Sequence, residues 1–79
     1  MVNTSPMDKS VQSMLPAKSL TILEDQMNHE ALAFKKFETY SLACQDTALK
    51  NLCESAKNMH KRHFDMLFTY LNDHNKPQQ

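Results

Sequence analysis

The sequence predicts an all-α protein, a long antiparallel helical hairpin that dimerises into a four-helix bundle. Two long stretches place apolar residues at alternating spacings of three and four, which is the periodicity of a helix with one buried side. Only a few polar residues separate the stretches, so the helices must lie antiparallel. A single domain of 79 residues is marginally stable alone, and support from metal, disulfides or oligomerisation is expected.

Residues 1–18 are predicted to be a flexible N-terminal tail. They contain Pro6 and Pro16 among Ser, Thr, Asn and Gln, and their apolar residues follow no sustained period. Val11 to Leu15 could form one amphipathic turn. The opposite end, residues 76–79, is predicted to be a short C-terminal tail, so the hairpin occupies residues 19–75.

The first helix is predicted to span about 19–45. Its start has two candidate caps, Ser19 alone or a capping box formed by Thr21 and Glu24. One stripe follows the alternating spacing without interruption and includes one charged residue. Its members are Leu20, Leu23, Met27, Glu30, Phe34, Phe37, Ser41 and Cys44.

The second helix is predicted to span about 47–74, with Asp46 as its N-cap and Pro77 beyond its end. A broad apolar stripe runs along it, with Phe64 and Phe68 extending the stripe sideways. The stripe comprises Leu49, Leu52, Cys53, Ala56, Met59, His60, His63, Met66, Leu67, Tyr70 and Leu71. Because each helix of a hairpin touches only one neighbour, large aromatic residues would stay exposed, and pairing about a two-fold axis would cover them.

Composition disfavours several classes of partner. Nine Lys plus Arg balance nine Asp plus Glu, so the positive field expected of a nucleic-acid-binding protein is missing. No apolar run is long enough for membrane insertion, and no export signal is visible, which predicts an intracellular protein. The two cysteines, Cys44 and Cys53, are therefore expected to be free, small helix residues packed in the core.

Glu30, His60 and His63 form the candidate site. Glu30 lies sixteen residues before Asp46, and the two histidines lie fourteen and seventeen after it, so a hairpin brings all three to one level. A buried carboxylate must be paired or bound. Either the three residues bind a transition metal such as iron, zinc or manganese, or Glu30 accepts a hydrogen bond within a polar layer that fixes the register of the helices.

The remaining polar residues give no catalytic arrangement. No serine or cysteine has a credible neighbouring base, and no glycine loop exists to hold phosphate. Glu24, Glu38 and Glu54 could extend a metal site, although Glu38 and Glu54 are expected at the surface. His29 and His74 are likewise expected to be surface residues.

Residues 20–71 resemble the small ferritin-like spore coat proteins of Firmicutes, the coat-F-type relatives of rubrerythrin. The resemblance lies in Leu23-Glu24, Glu30, Lys35-Lys36 followed by Tyr40, Cys44-Gln45-Asp46, the run from Ala48 to Cys53, and the His60-x-x-His63 pair. It implies a ferritin-like bundle and a place in the spore coat, with other coat proteins as partners.

Metal-binding members of this wider superfamily carry a Glu on one helix and Glu-x-x-His on the next. By the resemblance, Glu30 matches the first Glu and His63 matches the His, whereas His60 replaces the second carboxylate. We therefore expect a non-enzymatic, self-associating structural protein without a cofactor. The alternative is a metal-binding or oxidoreductase-related protein that uses Glu30, His60 and His63.

Overall fold

The computed structural model describes residues 15–75, which form two helices packed side by side. Helix α1 spans Ala17–Ala43 and helix α2 spans Thr47–His74, and these described residues include no strand. The predicted all-α helical hairpin is confirmed. Most of the predicted N-terminal tail, including residues 11–14 of the proposed amphipathic turn, and the whole predicted C-terminal tail lie outside the described residues.

Helix α1 begins and ends two residues earlier than predicted. Pro16 occupies the N-cap position without a side-chain cap, and its carbonyl accepts a hydrogen bond from the Leu20 amide at 2.9 Å. Neither Ser19 nor Thr21 caps the helix, so both proposed caps were wrong. The fixed φ of proline, −56° here, suits entry into a helix, and Ala17 and Lys18 are therefore helical rather than part of a tail.

The connection between the helices consists of residues 44–46, and its first and last residues, Cys44 and Asp46, are extended. The Cys44 amide donates to the Tyr40 carbonyl at 3.0 Å and closes the last turn of α1. The Asp46 carboxylate accepts a hydrogen bond from the Leu49 amide at 2.8 Å, which confirms the predicted N-cap of α2. Cys44 and Asp46 both have negative φ, so neither position requires a glycine, consistent with a chain that has none.

The open end of the hairpin is also held together. The Leu15 amide donates to Oδ1 of Asn75 at 3.0 Å, joining residues sixty positions apart. The Asn75 amide in turn donates to the Leu71 carbonyl at 3.0 Å and ends α2 after His74. Both ends of the helix pair are therefore fixed relative to each other.

Three residues are buried among those that the structure describes, and only one of them is apolar. These are Glu30, Ser41 and Cys53. Most of the other side chains between the helices remain half-buried, since two helices alone cannot enclose a core. The half-buried α2 residues include His60, Phe64 and Leu67.

The two flanks of the hairpin differ in chemistry. On one flank Gln26 and Glu30 of α1 line a groove with His63, Met66 and Tyr70 of α2. Heptad spacing adds Leu52 and Met59 to this stripe, and we call it the His63 face.

The opposite flank carries charged residues. Ala31, Phe34 and Lys35 of α1 face Lys61, Phe64 and Asp65 of α2 there. Lys61 and Asp65 form an ion pair at 3.1 Å. We call this flank the charged face. The His63 face, by contrast, is formed along α2 by apolar side chains and one histidine.

Candidate functional site

The candidate site lies near the middle of the hairpin, where α1 supplies Glu30 and α2 supplies His60 and His63. The Glu30 side chain is 8% exposed, that of His60 17% and that of His63 46%. The structure thus brings together all three residues identified from the sequence. The two histidines differ in how deeply they are buried: His60 points between the helices, whereas His63 lies on the His63 face.

Both histidines approach the same carboxylate oxygen. The distance from Nδ1 of His60 to Oε1 of Glu30 is 2.6 Å, and the corresponding distance from Nδ1 of His63 is 3.5 Å. The other oxygen, Oε2, accepts a hydrogen bond from Nε2 of Gln26 at 2.9 Å. The buried carboxylate therefore has a polar partner on each oxygen, as burial of a charged group demands.

Gln26 is not among the site residues predicted from the sequence, because it lies outside the apolar stripe of α1. The available signal was its position four residues before Glu30, since side chains at that spacing meet on a helix surface. The Gln26 amide belongs to the site because it donates a hydrogen bond to Oε2 of Glu30, the oxygen that neither histidine contacts.

The surroundings favour the ionised form of Glu30. The hydrogen bond from His60 is the main cause that lowers the pKa of this carboxyl, with smaller contributions from Gln26 and from the charges of both histidines. Burial acts in the opposite direction and is outweighed. At neutral pH the site therefore presents a carboxylate to two imidazoles.

Aromatic stacking orients the deeper histidine. The Phe37 ring lies parallel to the His60 ring, with centroids 5.6 Å apart and an interplanar angle of 13°. His63 meets His60 edge to face at 6.1 Å. Because Phe37 covers one surface of the imidazole, His60 is held with Nδ1 directed at Glu30.

The same three residues offer one ligand atom each within 4.8 Å of one another. Imidazole nitrogen and carboxylate oxygen are ligands that zinc, iron and manganese accept in proteins. The donor set fits a divalent transition metal, and Gln26 would then hold the carboxylate through its second oxygen, as outer hydrogen bonds do at metal sites.

The other acidic candidates lie away from this cluster. Glu24 and Glu38 are exposed. The Glu54 side chain is 42% exposed, in line with its expected surface position; the buried Ser41 hydroxyl donates to it, and Lys57 lies 3.1 Å away. The bond from Ser41, followed by that from Lys57, lowers the pKa of the Glu54 carboxyl. Glu54 thus links α1 to α2 near the turn and does not extend the site.

The remaining histidines also lie outside the cluster. His29 and His74 are exposed, as predicted. His74 ends α2, where its ring stacks on Tyr70 at 4.0 Å and its Nδ1 lies 2.9 Å from the Tyr70 carbonyl oxygen. Neither helix among the described residues is apolar enough over a sufficient length to cross a membrane.

Comparison with known proteins yields a relative of similar length. No family model matches the chain, and no solved structure matches it. The chain is 31% identical over 70 residues to uncharacterized protein YuzM of Bacillus subtilis (strain 168), and the match covers 82% of this chain and 86% of the relative. The chain therefore belongs to the same family as this Bacillus subtilis protein.

Proposed function

We propose that this chain is a non-enzymatic structural protein whose hairpins pair into a homodimeric four-helix bundle. The observation that carries the proposal is the apolar stripe left uncovered on the His63 face. Met66 is 68% exposed and Leu52 64% exposed, with Met59 and Tyr70 also open to solvent. Apolar side chains aligned along a helix in this way favour a partner.

A second copy of the chain fits this face in size. Helices of 27 and 28 residues are each about 40 Å long, and two side by side are about 20 Å wide. One face of the hairpin therefore presents roughly 800 Å², which is about what each partner contributes to a stable interface. A two-fold axis through this face would leave both charged faces in solvent.

Measurement of molecular mass in solution tests the dimer. We expect the full chain to have the mass of a dimer at micromolar concentration in light scattering or sedimentation equilibrium. Met66→Glu should weaken the dimer by at least about 10-fold, because each subunit would bury an unpaired carboxylate. A wild-type chain that is folded and monomeric at these concentrations would refute the proposal.

Leu42→Glu is the matched control. Leu42 is 77% exposed on α1, one heptad beyond Lys35 and hence on the side of the charged face. The variant adds the same charge at a residue of similar exposure, so it should leave the dimer intact. Equal weakening by both substitutions would place the interface elsewhere.

The resemblance of residues 20–71 to ferritin-like spore coat proteins supports a role in a spore coat, with other coat proteins as partners. This role is tested in the producing organism by tagging the protein and fractionating purified spores. We expect the tagged chain in the coat fraction and an altered coat composition in a deletion strain. Absence of the tagged chain from purified spores would refute the role in the coat, but it would not refute self-association.

Metal binding is the second candidate function, favoured by the three ligand atoms of Glu30, His60 and His63 within 4.8 Å. Zinc, iron and manganese suit this donor set. His60 occupies the place where the resemblance would put a second carboxylate, so the proposal is binding of a metal ion and does not include activation of oxygen by a di-iron centre.

Cobalt(II), a spectroscopic substitute for zinc, tests this second function. Titration should produce visible absorption bands with one equivalent bound per chain, and zinc should displace the cobalt. His63→Ala should remove the bands, whereas His29→Ala, which alters an exposed histidine outside the cluster, should not. If the wild type shows no bands, or if both variants keep them, the cluster is a hydrogen-bonded layer and not a metal site.

A further inference from the structure

His63 is a polar side chain in the middle of a largely apolar surface. On the His63 face, α2 contributes this histidine together with four large exposed side chains, Leu52, Met59, Met66 and Tyr70. His63 is 46% exposed, and its Nδ1 lies 3.5 Å from the Glu30 carboxylate, which is longer than a normal hydrogen bond. The contact with Glu30 therefore leaves the imidazole able to form a stronger hydrogen bond elsewhere.

The polar layer of Glu30, His60 and His63 lies halfway along the hairpin. Thirteen residues of α1 precede Glu30 and thirteen follow it. Thirteen residues of α2 precede His60 and fourteen follow it. Two hairpins that pair face to face about a two-fold axis cover the most surface when their midpoints coincide. Full overlap therefore brings the polar layer of one subunit opposite that of the other.

We propose that α2 of one subunit lies antiparallel to α2 of the other in the dimer, and that the two helices meet at His63. This inference rests on the proposed self-association and adds the register of the interface. The most exposed apolar side chains of the His63 face, Leu52 and Met66, belong to α2. Contact between the two α2 helices therefore buries the most apolar surface.

The chemistry of imidazole suits a position on the two-fold axis. A neutral imidazole has one nitrogen that donates and one that accepts, so His63 of one subunit can donate a hydrogen bond to His63 of the partner subunit. At other registers His63 would be covered by apolar side chains, and a buried polar group without a partner is costly. A single polar residue in an apolar seam selects one alignment for this reason, so His63 specifies the register.

The same register matches side chains on either side of His63. Residues at equal distances from His63 face each other, so Tyr70 lies opposite Ala56 of the partner subunit, a large side chain against a small one. Met59 lies close to Met66 of the partner subunit. These two thioether side chains are flexible and can fill the space that remains between the helices.

Cysteine cross-linking of the full chain tests the register, with EDTA present to keep metal ions away from the histidines. In His63→Cys the two introduced thiols lie at the axis, and oxidised glutathione should join the subunits by a disulfide. Leu52→Cys is the matched control on the same face. Leu52 is eleven residues from His63, so its two copies would be about 33 Å apart, beyond the reach of a disulfide. The wild type, which carries Cys44 and Cys53, sets the background.

Non-reducing electrophoresis should show linked subunits for His63→Cys and only background for Leu52→Cys. Similar linking of both variants, or of neither while sedimentation shows a dimer, would overturn the register and leave self-association standing. A monomeric wild type would refute both. If His63→Cys does not dimerise under reducing conditions, a mixture of Met59→Cys and Met66→Cys chains decides the same point. These two should link to each other faster than either links to itself.

His63→Leu combined with Leu52→Cys tests whether His63 selects the register. Leucine keeps the face apolar but removes the polar group, so other alignments become available. The Leu52→Cys thiols should then link several-fold faster than they do with His63 in place. Background linking in a double variant that still dimerises would show that His63 does not select the register. Loss of the dimer would also refute this role, because leucine should hold the two faces together.

Discussion

At the scale of single residues, the hairpin is defined by a buried carboxylate rather than by an apolar core. An unpaired charge at the position of Glu30 would cost several kcal/mol, and removal of one partner of a buried pair commonly costs about 3 to 5 kcal/mol. Gln26, His60 and His63 offset that cost by supplying a partner to each oxygen. Because these partners come from both helices, the polar layer that they form with Glu30 also specifies how α1 is aligned along α2.

Acid should remove the stabilisation that this layer provides. The pKa of Glu30 is lowered in the folded state, so its contribution is fully present above the ordinary glutamate pKa of about 4.3 and is lost as the pH falls through the folded value. We expect Glu30→Gln to unfold in less urea than the wild type at neutral pH, and the difference to shrink in acid. Glu38→Gln, at an exposed position, should show no such change.

The sequence predicted that Glu30, His60 and His63 lie together, but it did not predict which histidine is buried more deeply. The alternating spacing placed Glu30 between the helices because only one stripe of α1 is apolar enough to face a partner. On α2 the apolar stripe is wide enough for two neighbours, so periodicity could not show whether His60 or His63 lay deeper. Contact with α1 selects His60, and the part played by Gln26 depends on side-chain orientation, which spacing alone does not determine.

At the scale of secondary-structure elements, the turn is set by caps. Asp46 begins α2 through a side-chain hydrogen bond, as its position before an apolar stripe indicated. Helix α1 begins at a proline whose contribution comes from its backbone, and a search for capping side chains therefore pointed to later residues. The start of α2 could be predicted because a side chain caps it. The start of α1 could not be predicted because it depends on the backbone geometry of Pro16.

Removal of the α2 cap should weaken the hairpin measurably. Asp46→Ala leaves the Leu49 amide without its side-chain acceptor and should lower the free energy of unfolding by about 1 kcal/mol. Asp46→Asn keeps an acceptor at the cap and should lose only a small part of this free energy of unfolding. Urea unfolding followed by circular dichroism measures both, and equal losses would show that the charge, rather than the cap, is what stabilises the turn.

At the scale of the whole molecule, the hairpin has one apolar flank and one charged flank. The antiparallel fold followed from the short connection between two helical stretches. The occupant of the His63 face does not follow from periodicity, since an apolar stripe looks the same whether a copy of the chain or another helix covers it. The pairing of two hairpins is therefore proposed from the size and composition of the face.

Self-association makes stability depend on protein concentration. If unfolding separates the two subunits, the melting temperature should rise as the wild-type concentration is increased, by mass action. Met66→Glu should melt at a lower temperature than the wild type at each concentration, while Leu42→Glu should behave as the wild type does. Differential scanning calorimetry over a wide range of concentrations measures this, and a constant wild-type melting temperature would argue against the dimer.

The short three-residue connection between the helices has a hydrodynamic consequence. It makes the described hairpin a rod, about 40 Å long and two helices wide, which experiences more friction than a sphere of equal mass. Pairing through the His63 face would thicken the rod without lengthening it, so the dimer would be the rounder particle. Gel filtration would then overestimate the mass of a monomer more than that of a dimer, and the two would elute closer together than their masses suggest.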